Sequence, residues 1–370
     1  MPTIFVRDEL RAAIEAATGG LCTVHYTQSG QPSYFRWIPK FNLQDLGNDY
    51  GTGVHPAFIV DGVVKDGIWI GMYPGIVKNG ELLSLPGVDP TVYQPYTYFV
   101  TAARACGAGF HVMTNAEWAA VALLTAKSGT QPRGNTNYGR AYDATWETAR
   151  RADGGTPGST SGAAPRTLTG TGPLTWRHDG SPAGIADLVG NIWEFTPGLR
   201  LVDGEIQVLE NNNAATASAF DDSAPWKAIS LSDGALVTPG TTGTAKYDSL
   251  VAYSDNGVVN DLGNFQIDDM VDFRNGPAGD NSSSYDYNSM MFNSLPADTG
   301  ITIPSIMKSL LLAPGSISIN GRILMRNHGQ RYPLRSGAWS HGINAGFGAL
   351  DFYGTVSNNG GHIGARPAKV

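Results

Sequence analysis

The sequence predicts an α+β chain, loop-rich and built largely from short strands. Charged residues make up only 15% of the 370 positions while Gly (47) and Pro (22) are plentiful, which suits turns and short strands better than long helices. A few compact helical patterns stand among β-branched and aromatic runs separated by Asp-Gly turns. The stretch from Arg335 to Pro367, RSGAWSHGINAGFGALDFYGTVSNNGGHIGARP, excludes a helix, because each Gly costs about 1 kcal/mol there and no 3.6-residue stripe survives.

Taken in order, residues 7–18 put Leu10, Ala13, Ile14 and Ala17 on one face and stop at Gly19-Gly20, which predicts a short amphipathic helix. LCTVHYT and SYFRWIPKF read as strands, giving an N-terminal module of residues 1–50, too small to stand alone and expected to dock or oligomerise. Strand runs follow at 58–60 and 68–72, then a helix over 97–106 ending at Gly107. Thr114 stands three residues before Glu117 and ahead of an apolar run, a capping-box signature that predicts a helix over 115–127.

Residues 129–172 are mostly Gly, Thr, Pro, Asn and Ser, a surface insertion with at most one helical turn near 145–151. A second irregular insertion spans 201–320, with a hairpin at LVDGEIQVL and short helices at 267–273 and 303–312. Strand pattern returns over 321–339. The main domain is thus 51–370.

The net charge of −7 with no basic run argues against nucleic-acid partners, and no apolar stretch approaches a membrane span. The N-terminus lacks a secretory pattern. That leaves a virion-associated or cytoplasmic location, or the cell surface by an unusual route. Cys22 and Cys106 form no disulfide framework. His178, His341 and His362 lack ligand spacing, and Asp268, Asp269 and Asp272 read as a solvated helix face, so neither metal nor cofactor is expected.

Gly184-Ile185, Asp187-Leu188 and Gly190-Asn191-Ile192-Trp193-Glu194-Phe195 resemble the signature of formylglycine-generating-enzyme-like domains, a branch of the C-type lectin fold. Met113-Thr114 through Glu117-Trp118, Pro132-x-Gly134-Asn135, and Arg335-x-Gly337-x-Trp339 through Gly364-x-Arg366-Pro367 agree in order and spacing. The catalytic members of that group use late cysteines to hold copper, and nothing after Cys106 is a cysteine. Oxidation chemistry is therefore not expected, and Asn191 and Glu194 read as ties between loops that need partners if buried.

The terminal stretch resembles the variable proteins of diversity-generating retroelements, which include phage tail-tip receptor-binding proteins. That resemblance implies a scaffold of Arg335, Gly337, Trp339, Leu350, Ile363, Gly364 and Arg366 on top of Gly190, Asn191, Trp193 and Glu194. Between these letters fall Ser340, His341, Ile343, Phe347, Gly348, Asp351, Phe352, Tyr353, Gly354, Gly360, Gly361, His362 and Ala365, the implied variable, ligand-binding set. A period-2 strand puts Phe347, Asp351 and Tyr353 on one face, expected outward.

The implied function is non-catalytic binding of a protein or carbohydrate, for example on a target cell, with avidity if several copies assemble. The alternatives are a related oxidoreductase and an unvarying phage tail protein.

Overall fold

The computed structural model describes residues 8–370. Helix α1 runs Glu9–Ala17, capped by the Asp8 carboxylate, which accepts from the Arg11 N–H; Arg7, where the sequence pattern begins, lies outside the described residues. Helix α2 spans Tyr96–Ala105 and α3 Asn115–Lys127. In α3 the Thr114 Oγ1 accepts from the Glu117 N–H while the Glu117 carboxylate accepts from the Thr114 N–H, as the capping box requires. All but a few residues of α3 are buried, since a helix apolar all round has no face to give to water.

Three main sheets share one apolar cluster with this helix. A five-stranded antiparallel sheet orders Cys22–Tyr26, Pro32–Pro39, Gly67–Gly71, Pro367–Lys369 and Phe110–Val112. The N-terminal hairpin therefore shares a sheet with the C-terminal strand, and the boundary expected at residue 50 does not divide it. A six-stranded sheet orders Asn288–Met291, Arg322–Met325, Gly346–Phe352, Leu334–Ser336, Trp193–Phe195 and Ile363–Ala365. Arg366 sits where the chain crosses from the second sheet to the first.

The third sheet corrects the expectation of an irregular 201–320. Leu199–Val202 and Glu205–Val208 form the expected hairpin, turned at Asp203 and Gly204, both with positive φ (48° and 91°), as a type I′ turn demands. Lys227–Ile229, Lys246–Ser249 and Phe265–Asp268 extend it, each too short and too isolated by loops to be legible alone. The expected helix at 267–273 is thus a strand end and turns. Helix α4, Ser305–Ser309, lies inside the expected 303–312. At 145–151 there is no helical turn but a hairpin, bridged at Arg140 and Thr148.

Buried arginines hold the long loops. Arg335 reaches the Asn115 Oδ1 (2.8 Å) and the Leu311 carbonyl (3.0 Å). Arg326 donates to the carbonyls of Ser283, Tyr285, Asp286 and Tyr353, and Arg331 to those of His328, Asp280, Asn281, Ser282 and Tyr353. A guanidinium offers five donors in a planar fork, so one side chain can satisfy several main-chain oxygens.

Candidate functional site

The frame of the terminal stretch rests on Asn191. It is buried with positive φ (64°). Its N–H donates to the Asn135 carbonyl (2.7 Å), its Oδ1 accepts from the Thr167 N–H (2.7 Å), and its carbonyl accepts from the Trp339 N–H (3.2 Å). One residue, through its main chain and its side chain, thereby ties three loops. Gly190 beside it has φ 74° and would place a Cβ 2.2 Å from the Asn135 carbonyl oxygen, so no other residue fits there. Glu194, the other polar residue of the motif, meets Arg366, and both are buried.

Arg335, Leu350, Ile363, Gly364, Arg366, Gly337, Gly190, Asn191, Trp193 and Glu194 are all buried. Trp339 is not: it is half-buried, its ring edge-on to His362 at 6.0 Å, and so belongs to the rim instead of the core.

The implied variable residues do not gather in one patch. Antiparallel pairing sets Arg335 beside Leu350 and Ser336 beside Gly346, while Trp193 pairs with Ile363. The loop 337–345 and residues 360–362 therefore share one end of the sheet, whereas Tyr353 and Gly354 leave by the other, roughly 15–20 Å away at about 3.3 Å per strand residue.

At the first end, Ser340 and Ile343 are exposed. The His341 ring stands edge-on to Trp193 at 5.4 Å, and burial, with His362 nearby, lowers its pKa to about 4. His362 is lowered by burial as well. Gly360 accepts from the Tyr93 N–H, and a Cβ on Gly361 would meet the Tyr93 Oη at 2.5 Å. Tyr93 thus edges the patch.

At the second end, Arg326 lies over the Tyr353 ring at 3.5 Å and Tyr287 packs against it. Asp351 accepts from the Tyr353 N–H, and burial raises its pKa to about 6. Gly354 is half-buried, its Cβ direction blocked by the Asn358 side chain.

Four of the set are corrected outright. Phe347 is 2% exposed and packs against Trp118, whose Nε1 donates to the Phe347 carbonyl. Phe352 and Ala365 are buried in apolar clusters, and a Cβ on Gly348 would press on Phe292 and the Asn320 carbonyl. For Phe347 the reason is a register shift. Between Arg335 and Ser336 the partner moves from Leu350 to Gly346, so the bulge breaks the alternation on which the outward face of Phe347 was based. Asp351 and Tyr353 are only half-buried.

The loop 131–143 completes the first end. A cleft of about 170 Å³ opens between Tyr142, Val189, Asn320, Ile343 and Phe347. Thr136 joins its two sides, its Oγ1 accepting from the Tyr142 N–H and its carbonyl from the Gly342 N–H, both at 3.0 Å. The Tyr138 N–H donates to the Trp339 carbonyl (2.8 Å). Sequence reasoning placed 129–172 on the surface but missed these aromatics; the signal was Tyr and Trp standing alone in a Gly- and Thr-rich run.

Elsewhere, Asp268 is buried at a strand end and not on a solvated helix face, and carboxylate oxygens of Asp248, Asp268 and Asp272 lie within 4.8 Å of one another. The His178 Nδ1 accepts from the Ile185 N–H. Cys22 and Cys106 are both buried and free, in separate clusters; burial pushes the Cys106 thiol up to about 12.

Together these features define a strand-rich α+β scaffold presenting a mixed, largely uncharged rim at one sheet end. No protein-family model matches the chain, and no curated protein does. Among solved structures it is similar to the U1, M1 and P3c variants of Major Tropism Determinant. Identities are 12%, 12% and 11%, TM-scores 0.30, 0.31 and 0.31, and each alignment covers 94% of this chain and 70% of the other. Scores near 0.3 fix neither fold nor function, so both rest on the residues above.

Proposed function

We propose that this chain is a non-catalytic binding protein: a C-type-lectin scaffold of the formylglycine-generating-enzyme type whose C-terminal loops are diversified by a retroelement and touch a receptor, as phage tail-tip proteins do. The observation that carries the reading is the contrast within residues 335–366. Frame residues are buried and multiply bonded, while Ser340 and Ile343 are exposed and His341, Gly360, Gly361 and His362 line the same rim. Loops on a rigid frame tolerate exchange of side chains without loss of fold.

The burial of Phe347, Gly348, Phe352 and Ala365 narrows the diversified set. Useful variation then falls at the first sheet end, with Asp351, Tyr353 and Gly354 as a separate minor group. Two buried thiols in separate clusters give no pair for copper oxidation chemistry, which supports binding over catalysis.

DNA flanking the coding region tests the proposal. A near-copy of codons 335–366, mismatched only at adenines and next to a reverse transcriptase gene, is expected. Deep sequencing of a population should then find variation at 340, 341, 343 and 360–362. An invariant segment with no such copy would overturn diversification and favour the tail-protein alternative.

A further inference from the structure

The hairpin 140–148 lies outside the terminal stretch yet borders its exposed loop. Its strands are bridged at Arg140 and Thr148, and the Ala141 N–H donates to the Glu147 carbonyl (3.1 Å). Arg133 spans its tip, pairing with Asp143 at 2.9 Å and Glu147 at 3.2 Å, while the Trp176 Nε1 donates to the other Glu147 oxygen at 3.0 Å. Ala141, Ala144, Ala149 and Trp176 close a small core beneath it. A hairpin held this way is rigid before any partner arrives.

On that tip two large aromatics face water: Tyr142 is 42% exposed and Trp146 77%. A Cβ on Gly342 would touch the Tyr142 ring at 4.0 Å, and Ile343, 59% exposed, forms the opposite side of the cleft. Tyr142 lines the cleft, while Trp146 stands at the turn of the same hairpin and outside the lining; exposed aromatics on a fixed element are the anchors on which protein interfaces concentrate their binding energy.

We propose that Tyr142 and Trp146 form a fixed wall of the recognition face, and that the partner is a folded protein which inserts one bulky apolar side chain between Tyr142 and Ile343. This inference rests on the reading of the 337–345 loop as a binding surface. Size and charge select the class of partner. About 170 Å³ holds one large side chain, below the roughly 300–1,000 Å³ of sites that enclose a free small molecule. The carboxylates of Asp143 and Glu147 are both engaged by Arg133, and His341 is neutral near pH 7. Among the described residues the two charged groups lining the cleft, Arg133 and Asp143, are paired with each other, and Tyr142, Val189, Ile343 and Phe347 offer an apolar surface between them that matches an apolar protein side chain.

The test displays the full chain on cells with codons 340, 341, 343 and 360–362 randomised, and selects separately on purified lysozyme and on mannan. Binders to lysozyme are expected, and Tyr142→Ala or Trp146→Ala should weaken them about tenfold or more, with thermal midpoints unchanged because both side chains are exposed. Lysozyme binders whose affinity moves less than twofold in both variants overturn the fixed wall while leaving the binding surface intact. Binders to mannan alone overturn the class of partner. Binders to neither overturn the underlying reading and this inference with it.

Discussion

Arg366 and Glu194 meet as a fully buried two-point ion pair, with Nη2 2.7 Å from Oε1 and Nε 2.9 Å from Oε2. The guanidinium also donates to the carbonyls of Gly71, Ala186 and Asp187, so one residue joins two sheets and the motif loop. Removing either partner leaves a charge stranded away from water. Arg366→Ala or Glu194→Ala should each cost about 3–5 kcal/mol in urea unfolding, and replacing both residues together should cost less than the sum of the two. A single-variant loss below about 1 kcal/mol contradicts this role.

The terminal stretch should divide sharply by tolerance. Phe347→Ala and Phe352→Ala remove rings from the core and should cost about 3–5 kcal/mol. Ser340 and Ile343 are exposed, and their replacement by other side chains should move stability by no more than about 0.5 kcal/mol. Thermal unfolding of a small panel compares the two groups directly; equal losses in both would contradict the assigned register.

Asp351 gives a pH-dependent test. Its folded pKa, raised by burial to about 6, lies above the unfolded value of 3.8. The folded chain therefore binds the extra proton between those values, and the charged carboxylate costs stability above pH 6 but not below pH 4. Asp351→Asn should stabilise by about 1–2 kcal/mol at pH 7.5, with the gain vanishing near pH 4. A gain independent of pH would show that the carboxylate is not the cause.

Histidine burial acts in the opposite sense and on more groups. His25, His55, His178, His328 and His341 are each lowered to about 4, with burial the leading cause, and His362 is lowered by burial too, against four carboxylates raised by burial, Asp248 and Asp351 to about 6 and Asp187 and Glu194 in the same direction. Between pH 6 and 4.5 the unfolded chain takes up more protons than the folded one, so stability falls as pH drops. The melting midpoint should decline from pH 7 to pH 5; a flat or rising midpoint contradicts the neutral, buried state of these rings.

Much of the fold was legible because local chemistry agreed with the final packing. The Thr114–Glu117 box, the Asp203-Gly204 turn and the partners demanded by Asn191 and Glu194 are all decided within a few residues or by simple satisfaction of polar groups. What escaped was non-local. The strand Phe265–Asp268 reads like a helix start until its pairing with Lys246–Ser249 is known. The facing of Phe347 depends on a bulge set against Arg335 and Ser336, which no alternation in the strand's own residues reveals. Trp339 carried the signature of a core residue, and only its half-burial beside His362 places it at the rim.

Arg326 and Arg331 carry a consequence for how residues 280–286 can evolve. They grip the segment chiefly through peptide oxygens, six of its seven carbonyls being engaged. Peptide oxygens are the same whatever the codon, so at most exposed positions along this run mutation alters the decoration and leaves the anchor alone. The same two guanidiniums hold the carbonyl of Tyr353, so the main chain at the second sheet end is retained even when its aromatic ring is exchanged.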